Sequence, residues 1–118
     1  MEELTQAEEP IMQFLWKLKR TFVKDIIAYL PGDSKPPYNT VSSVVRILVR
    51  KGYVGFNAYG KTHEYFPLIS RAQYRAARLN YLLAHYFNNS PTALVAYLAE
   101  EVLNPKELQQ LRELLGGD

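Results

Sequence analysis

Cysteine is absent from this chain of 118 residues. Disulfides and thiolate-held metal sites are therefore excluded, and a reducing, cytoplasmic setting is expected. No apolar run approaches the ~18 residues of a membrane span, so no membrane insertion is expected. The opening MEELTQAEEP is acidic and carries no secretory signature. Histidine occurs twice, as His63 and His85, on separate stretches with no acidic cluster, which is too sparse for a metal site. The run Tyr59-Gly60-Lys61-Thr62 lacks the glycine spacing of a phosphate loop, and there is no GxSxG elbow. Ser42 and Ser43 have no histidine near them in sequence. No nucleophile, base and orienting group assemble, so neither an enzyme nor a cofactor is expected.

What is present is an ordinary globular composition, 47% apolar, enough for one domain or two small ones sharing a core. The net charge of +2 hides a strong asymmetry. Residues 17–78 hold 12 Lys and Arg against 3 acids, and the rest hold 2 against 9. A basic middle between acidic ends attracts a polyanion locally; the blander account is a charge-mixed surface.

The stretch from Pro36 to Lys61 reads as a two-faced helix followed by a short basic hairpin. At about 100° per residue, Val41, Val44, Val45 and Leu48 fall on one side. Asn39, Ser42, Ser43, Arg46 and Arg50 fall on the other. That polar face contains no acid, whereas a solvated face usually mixes Glu with Lys. Hydrogen-bonding side chains with two arginines suit base edges and phosphates in a major groove.

The expected elements follow from caps and periodicity. Thr5 with Glu8 forms a capping box for a helix to Leu18, and Pro10 requires that the helix start near it or bend there. Trp16 is a candidate core residue of this helix. Thr21 is the expected cap of a second helix ending at Leu30 before Pro31-Gly32. A third helix runs from Tyr38 to Lys51 and stops at Gly52. Two strands, 53–58 and 62–67, are joined at Tyr59-Gly60, with Val54, Phe56 and Ala58 on one face. Ser70 with Gln73 opens a fourth helix, which Asn88-Asn89 breaks. Ser90-Pro91 opens a fifth with the stripe Leu94, Val95, Leu98 and Val102, and Asn104-Pro105 a sixth that Gly116-Gly117 ends. The expected fold class is mainly α with a small β-hairpin. It is a winged helix-turn-helix over residues 1–69, followed by a three-helix dimerisation region over residues 70–118.

The last ~48 residues are too few to enclose a core alone. Two copies interlocking through Tyr81, Leu82, Leu94, Val95, Leu98, Leu108 and Leu111 would bury them as a homodimer. The alternative is that they fold back onto residues 1–70 in one monomeric core.

The segments LTQAEEPIMQFLWKLKRTFVKDII, YNTVSSVVRILVRKGYVG, AYGKTHEYFPLIS and HYFNNS resemble the penicillinase and methicillin-resistance repressor family. The resemblance covers nearly the whole chain and is closest in the YNTVS block; the C-terminal third matches in pattern more than in residues. It implies a homodimeric winged-helix repressor of antibiotic-resistance genes on a palindromic double-stranded DNA operator. It also implies an upstream membrane sensor and protease that inactivate the repressor by cutting it. On matching positions, Tyr38 to Lys51 is the recognition helix, with Tyr38, Asn39, Thr40, Ser42, Ser43, Arg46 and Arg50 toward DNA and Lys61 at a phosphate. Two departures stand out. Members that are cut carry an Asn-Phe bond where this chain has Ala96-Tyr97, leaving that pair as a candidate cleavage position of altered chemistry. Copper-responsive relatives carry C-terminal cysteines, and this chain has none.

Two other readings remain from the residues alone. One is a winged-helix protein-interaction module that docks an acidic partner through the basic middle. The other is a small-molecule sensor with Tyr74, Tyr81 and Tyr97 lining a pocket.

Overall fold

The computed structural model describes residues 1–116. The elements, in chain order, are α1 (Glu9–Leu18), α2 (Val23–Tyr29), α3 (Tyr38–Arg50), β1 (Val54–Tyr59), β2 (Thr62–Pro67), α4 (Arg71–Tyr86), α5 (Pro91–Tyr97) and α6 (Pro105–Leu114), with a π-helical turn over Leu98–Val102 after α5. The chain divides into two compact units, the first running from Met1 to Ala76 and the second from Ala77 on.

The first unit holds the core. Ile11, Met12, Phe14 and Leu15 of α1 meet Val23 and Ile26 of α2 and Val41, Val45 and Leu48 of α3. Leu4, Tyr53, Val54 and Tyr65 close the cluster. Each aliphatic side chain buried this fully contributes about 1.5–3 kcal/mol relative to exposure. Trp16 packs against this core, and its indole N–H donates to the Ile69 carbonyl at 2.8 Å. Phe14 stacks on Tyr29 at 4.2 Å, tying α1 to α2.

The Thr5–Glu8 box is present: the Thr5 amide donates to Glu8 Oε1 at 2.9 Å, and the Glu8 amide donates to the Thr5 hydroxyl at 3.2 Å. It closes a turn ahead of α1, and the α-helix begins at Glu9 with Pro10 in its first turn, where no amide donor is needed. Thr21 is not the cap of α2. Its backbone forms an antiparallel bridge to Tyr65, with N–O distances of 3.0 and 2.7 Å, and so adds a third edge to the hairpin. Backbone pairing to β2 took precedence over a local side-chain cap. α3 ends as expected, at Gly52 with φ +82°, a left-handed conformation that glycine adopts without a Cβ penalty.

β1 and β2 pair antiparallel, Phe56 opposite Tyr65 and Tyr59 opposite Thr62. β1 therefore extends to Tyr59, and the turn is Gly60-Lys61, with Gly60 at φ +63°. The expected apolar face of β1 is buried only at Val54, while Phe56 is 43% exposed. The hairpin projects past the core, so alternation alone does not bury its far end.

In the second unit the caps are as read. Ser90 accepts from the Ala93 amide at 3.0 Å, and Asn104 and Glu107 form a reciprocal box at 2.8 and 3.1 Å. The Ser70–Gln73 box at the start of α4 is likewise present. Asn88 and Asn89 both have positive φ and end α4. The expected fifth helix is not one continuous α-helix: its second half is the π-helical turn, closed by the Leu103 amide on the Leu98 carbonyl at 2.8 Å. Gly116 has φ +77°; Gly117, the other half of that stop signal, lies outside the described residues. From Ala77 to Gly116 no described residue is buried.

Glu8 is buried beside Lys51, whose ammonium lies 3.0 Å from its carboxylate and 3.5 Å from Glu2. Burial alone would raise the Glu8 carboxyl. The Thr5 amide and the Lys51 ammonium outweigh that and hold it below its ordinary value. The same contact with Glu8 raises the Lys51 ammonium. Because the folded Glu8 value lies below the unfolded one, the stabilisation is complete above the ordinary carboxylate range and is lost as pH falls through the folded value. Glu8→Ala should cost about 1–3 kcal/mol at neutral pH and much less near pH 3. Urea midpoints at both pH values check this, and an equal cost at both would exclude the charge pair as its source.

A candidate nucleic-acid interface on the third helix and the hairpin

Burying Val41, Val45 and Leu48 sets the rotation of α3 about its own axis. Asn39, Thr40, Ser43, Arg46 and Arg50 are then exposed along one side, and Tyr38 at the N-terminus is 58% exposed. Lys61 stands exposed at the hairpin tip. Seven of the eight residues expected at a DNA surface are thus accessible together.

Ser42 departs from the expected surface. It is 6% exposed. On the helical wheel it flanks the apolar stripe, and a helix taken alone leaves such a residue outward. Here the hairpin lies alongside that flank, and Ser42 shares a cleft of about 510 Å³ with Tyr65. Phe22, Val23 and Lys24 at the start of α2 form one wall, Tyr38, Ser42 and Arg46 of α3 a second, and Lys61, Thr62, His63 and Tyr65 of the hairpin a third. A shallower hollow of about 310 Å³ runs on between Arg46, Val49 and Arg50 and the rings of Phe56, His63 and Tyr65.

The field in this region is cationic. Lys24, Arg46 and Lys61 come from three different elements, and among the described residues no acid lines either hollow. Burial raises the Tyr65 phenol, while the Arg46 charge pulls it the other way. Two lysines of the basic middle are engaged elsewhere. Lys51 pairs with Glu8 and Glu2, and the Lys35 ammonium donates to the carbonyls of Ala28 and Leu30, where α2 ends. Lys24 and His63 are the site residues that sequence reading passed over. The basic count included Lys24 without a place for it, and only the fold brings α2 beside the hairpin. His63 stacks on Phe56 at 4.6 Å and 13°.

The expected dimerisation residues split by exposure. Tyr81 is 44%, Leu82 39% and Val95 39% exposed, while Leu94, Leu98, Leu108 and Leu111 are half-buried. Each of the three tyrosines considered as a pocket has a partner within its own unit. The Tyr74 hydroxyl accepts from the Leu4 amide at 2.9 Å, Tyr81 lies 4.2 Å from His85, and Tyr97 lies 5.8 Å from Phe87. Ala96 and Tyr97 close α5 just before the π-helical turn. Among the described residues no three His, Cys, Asp or Glu side chains gather as a metal would need, and no helix is long and apolar enough to cross a membrane.

A family model described as penicillinase repressor matches residues 4–117. The chain belongs to the penicillinase repressor family. Its similarity to a penicillinase repressor of Bacillus licheniformis is 22% identity over 114 residues, covering 96% of this chain and 89% of that one. A methicillin resistance regulatory protein MecI of Staphylococcus aureus is 21% identical over 115 residues, covering 96% and 93%. By their names these relatives are a repressor and a regulatory protein of resistance. Among solved structures, the DNA binding domain of the repressor BlaI has a TM-score of 0.52 at 23% identity, covering 63% of this chain and 94% of that domain. The winged-helix fold of this repressor-family chain is thereby established.

The Phe56 and His63 rings stack across the hairpin, and each also lies 6.1 Å from the Tyr65 ring. Phe56→Ala should cost about 0.5–1.5 kcal/mol and move the His63 ring proton resonances. Thermal melts and a proton spectrum check this; unmoved His63 signals would mean the two rings do not stack in solution.

Proposed function

We propose that this chain is a DNA-binding transcriptional repressor that acts as a homodimer on a palindromic operator, with resistance genes of the β-lactamase type as its targets. The single observation that carries the reading is the exposed, acid-free side of α3 beside a cationic hairpin tip. Family membership and the relatives' names support the repressor role. α3 enters the major groove. Asn39, Thr40 and Ser43 meet base edges near its N-terminus, with Tyr38 beside them. Arg46 reaches a guanine edge or a phosphate, and Arg50 and Lys61 neutralise phosphates. Ser42 is left out of this set because it lies behind the surface.

Dimerisation is supported by the second unit's composition: it carries Leu79, Tyr81, Leu82, Val95, Tyr97, Val102, Leu114 and Leu115 exposed, and none of its described residues is buried to hold them. An apolar surface of this kind is stable in water when a second copy covers it. The domains of function are then residues 1–69 for DNA and 70–118 for pairing. Two bound α3 helices lie about 34–36 Å apart, one helical turn of DNA. Cleavage of the chain during induction, at Ala96-Tyr97 or at a different bond, would point to an upstream membrane sensor and protease.

Duplexes selected from a randomised pool supply the operator for a mobility-shift test. Arg46→Ala should weaken binding by about 1–3 kcal/mol, and Lys61→Ala should lower the salt slope by about 1 while preserving sequence preference. Wild-type affinity that does not depend on sequence would reject the repressor reading in favour of a protein-docking module. Sedimentation on dilution tests the pairing. A dimer giving way to monomer at low concentration is expected, and a monomer at every concentration would exclude it.

A further inference from the structure

The cleft walled by α2, α3 and the hairpin has room for a ligand of its own. Its volume of about 510 Å³ falls within the range of small-molecule sites, roughly 300–1,000 Å³. Its walls are of two kinds. Lys24, Arg46 and Lys61 supply positive charge from three elements without an acid among the described lining residues. Phe22 and Val23 supply an apolar wall. Ser42, 6% exposed, adds a nearly buried hydroxyl to the lining. Duplex phosphates ride on the outside of the strands and suit the cations at the rim, leaving the apolar wall and the hydroxyl unmatched. A compact molecule with an anionic head and an apolar body matches all three.

We propose that this cleft binds a soluble organic anion, a phosphate monoester or carboxylate on an aromatic or aliphatic body, and that its occupation displaces DNA. The head meets Arg46 and Lys24, the body lies on Phe22 and Val23, and the Ser42 hydroxyl hydrogen-bonds the buried end. Displacement follows because Arg46 cannot serve both ligands at once. This half rests on the reading of α3 as the DNA face; the site itself does not.

The test uses the full chain with phenyl phosphate as probe, and inorganic phosphate and phenol as the charge-only and apolar-only controls. Amide shifts and calorimetry read binding without DNA. Phenyl phosphate should bind saturably, shift Thr62 and His63, and bind at least about tenfold tighter than either control. Lys24→Met, at an exposed position, and Ser42→Ala, a small change within a helix, should each weaken it about fivefold or more. Their unchanged melting temperatures confirm the fold. In wild type, rising phenyl phosphate should lower affinity for the selected duplex in step with its own saturation. Equal binding of inorganic phosphate, no saturable binding, or indifference to both substitutions would overturn the site. Saturable binding without loss of duplex affinity would overturn displacement. Duplex binding without phenyl phosphate binding removes this inference and leaves the repressor reading intact; phenyl phosphate binding without any duplex binding does the reverse.

Discussion

The rest of the structure depends on the docking of one side of α3. Val41, Val45 and Leu48 fit between α1 and α2 and are almost wholly removed from water. Three apolar side chains at this spacing define a line along the helix, and burying a line leaves the helix one rotation. Every polar residue on α3 then has its direction decided. Asn39, Ser43, Arg46 and Arg50 are outward because the valines are inward, with no interaction of their own required to aim them. This economy explains how so small a unit presents an ordered surface. The energy that orders the surface is spent in the core behind it.

Charge behaves less simply than hydrophobicity here. The middle of the chain is strongly basic, but a count of cations is not a field. Lys51 is committed to Glu8 and Glu2, and Lys35 to the carbonyls that end α2. What remains at the concave side of α3 and the hairpin is a smaller set, Lys24, Arg46, Arg50 and Lys61, free of lining acids. The committed lysines act within the fold. Lys51 follows α3 immediately, so its tie to Glu8 secures the C-terminal end of the helix to the turn before α1.

The second unit shows the limit of local specification. Its helices α5 and α6 start where Ser90 and Asn104 offer side-chain oxygens to amide donors, as Ser70 does for α4 in the first unit, each a short-range event completed within one turn. Caps decide where helices begin; they do not supply a core. The apolar residues of α4 to α6 are spread over more than one side, and a single chain buries none of them fully. That deficit is the observation behind the proposed pairing with a second copy.

The sequence by itself determined the order of elements, the box at Thr5 and Glu8, the three later caps, the end of α3 at Gly52 and which side of α3 is apolar. Each of these is a relation between residues a few positions apart, governed by backbone hydrogen bonds and helical periodicity. The tertiary structure alone decided the role of Thr21, which pairs with Tyr65 some forty residues away instead of capping α2. It also decided the burial of Ser42, the exposure of Phe56 and the meeting of Lys24 with Lys61. These depend on where the hairpin lies against the helices. That position is set by long-range backbone pairing and by the limited reach of a small core, and neither leaves a periodic mark in the chain.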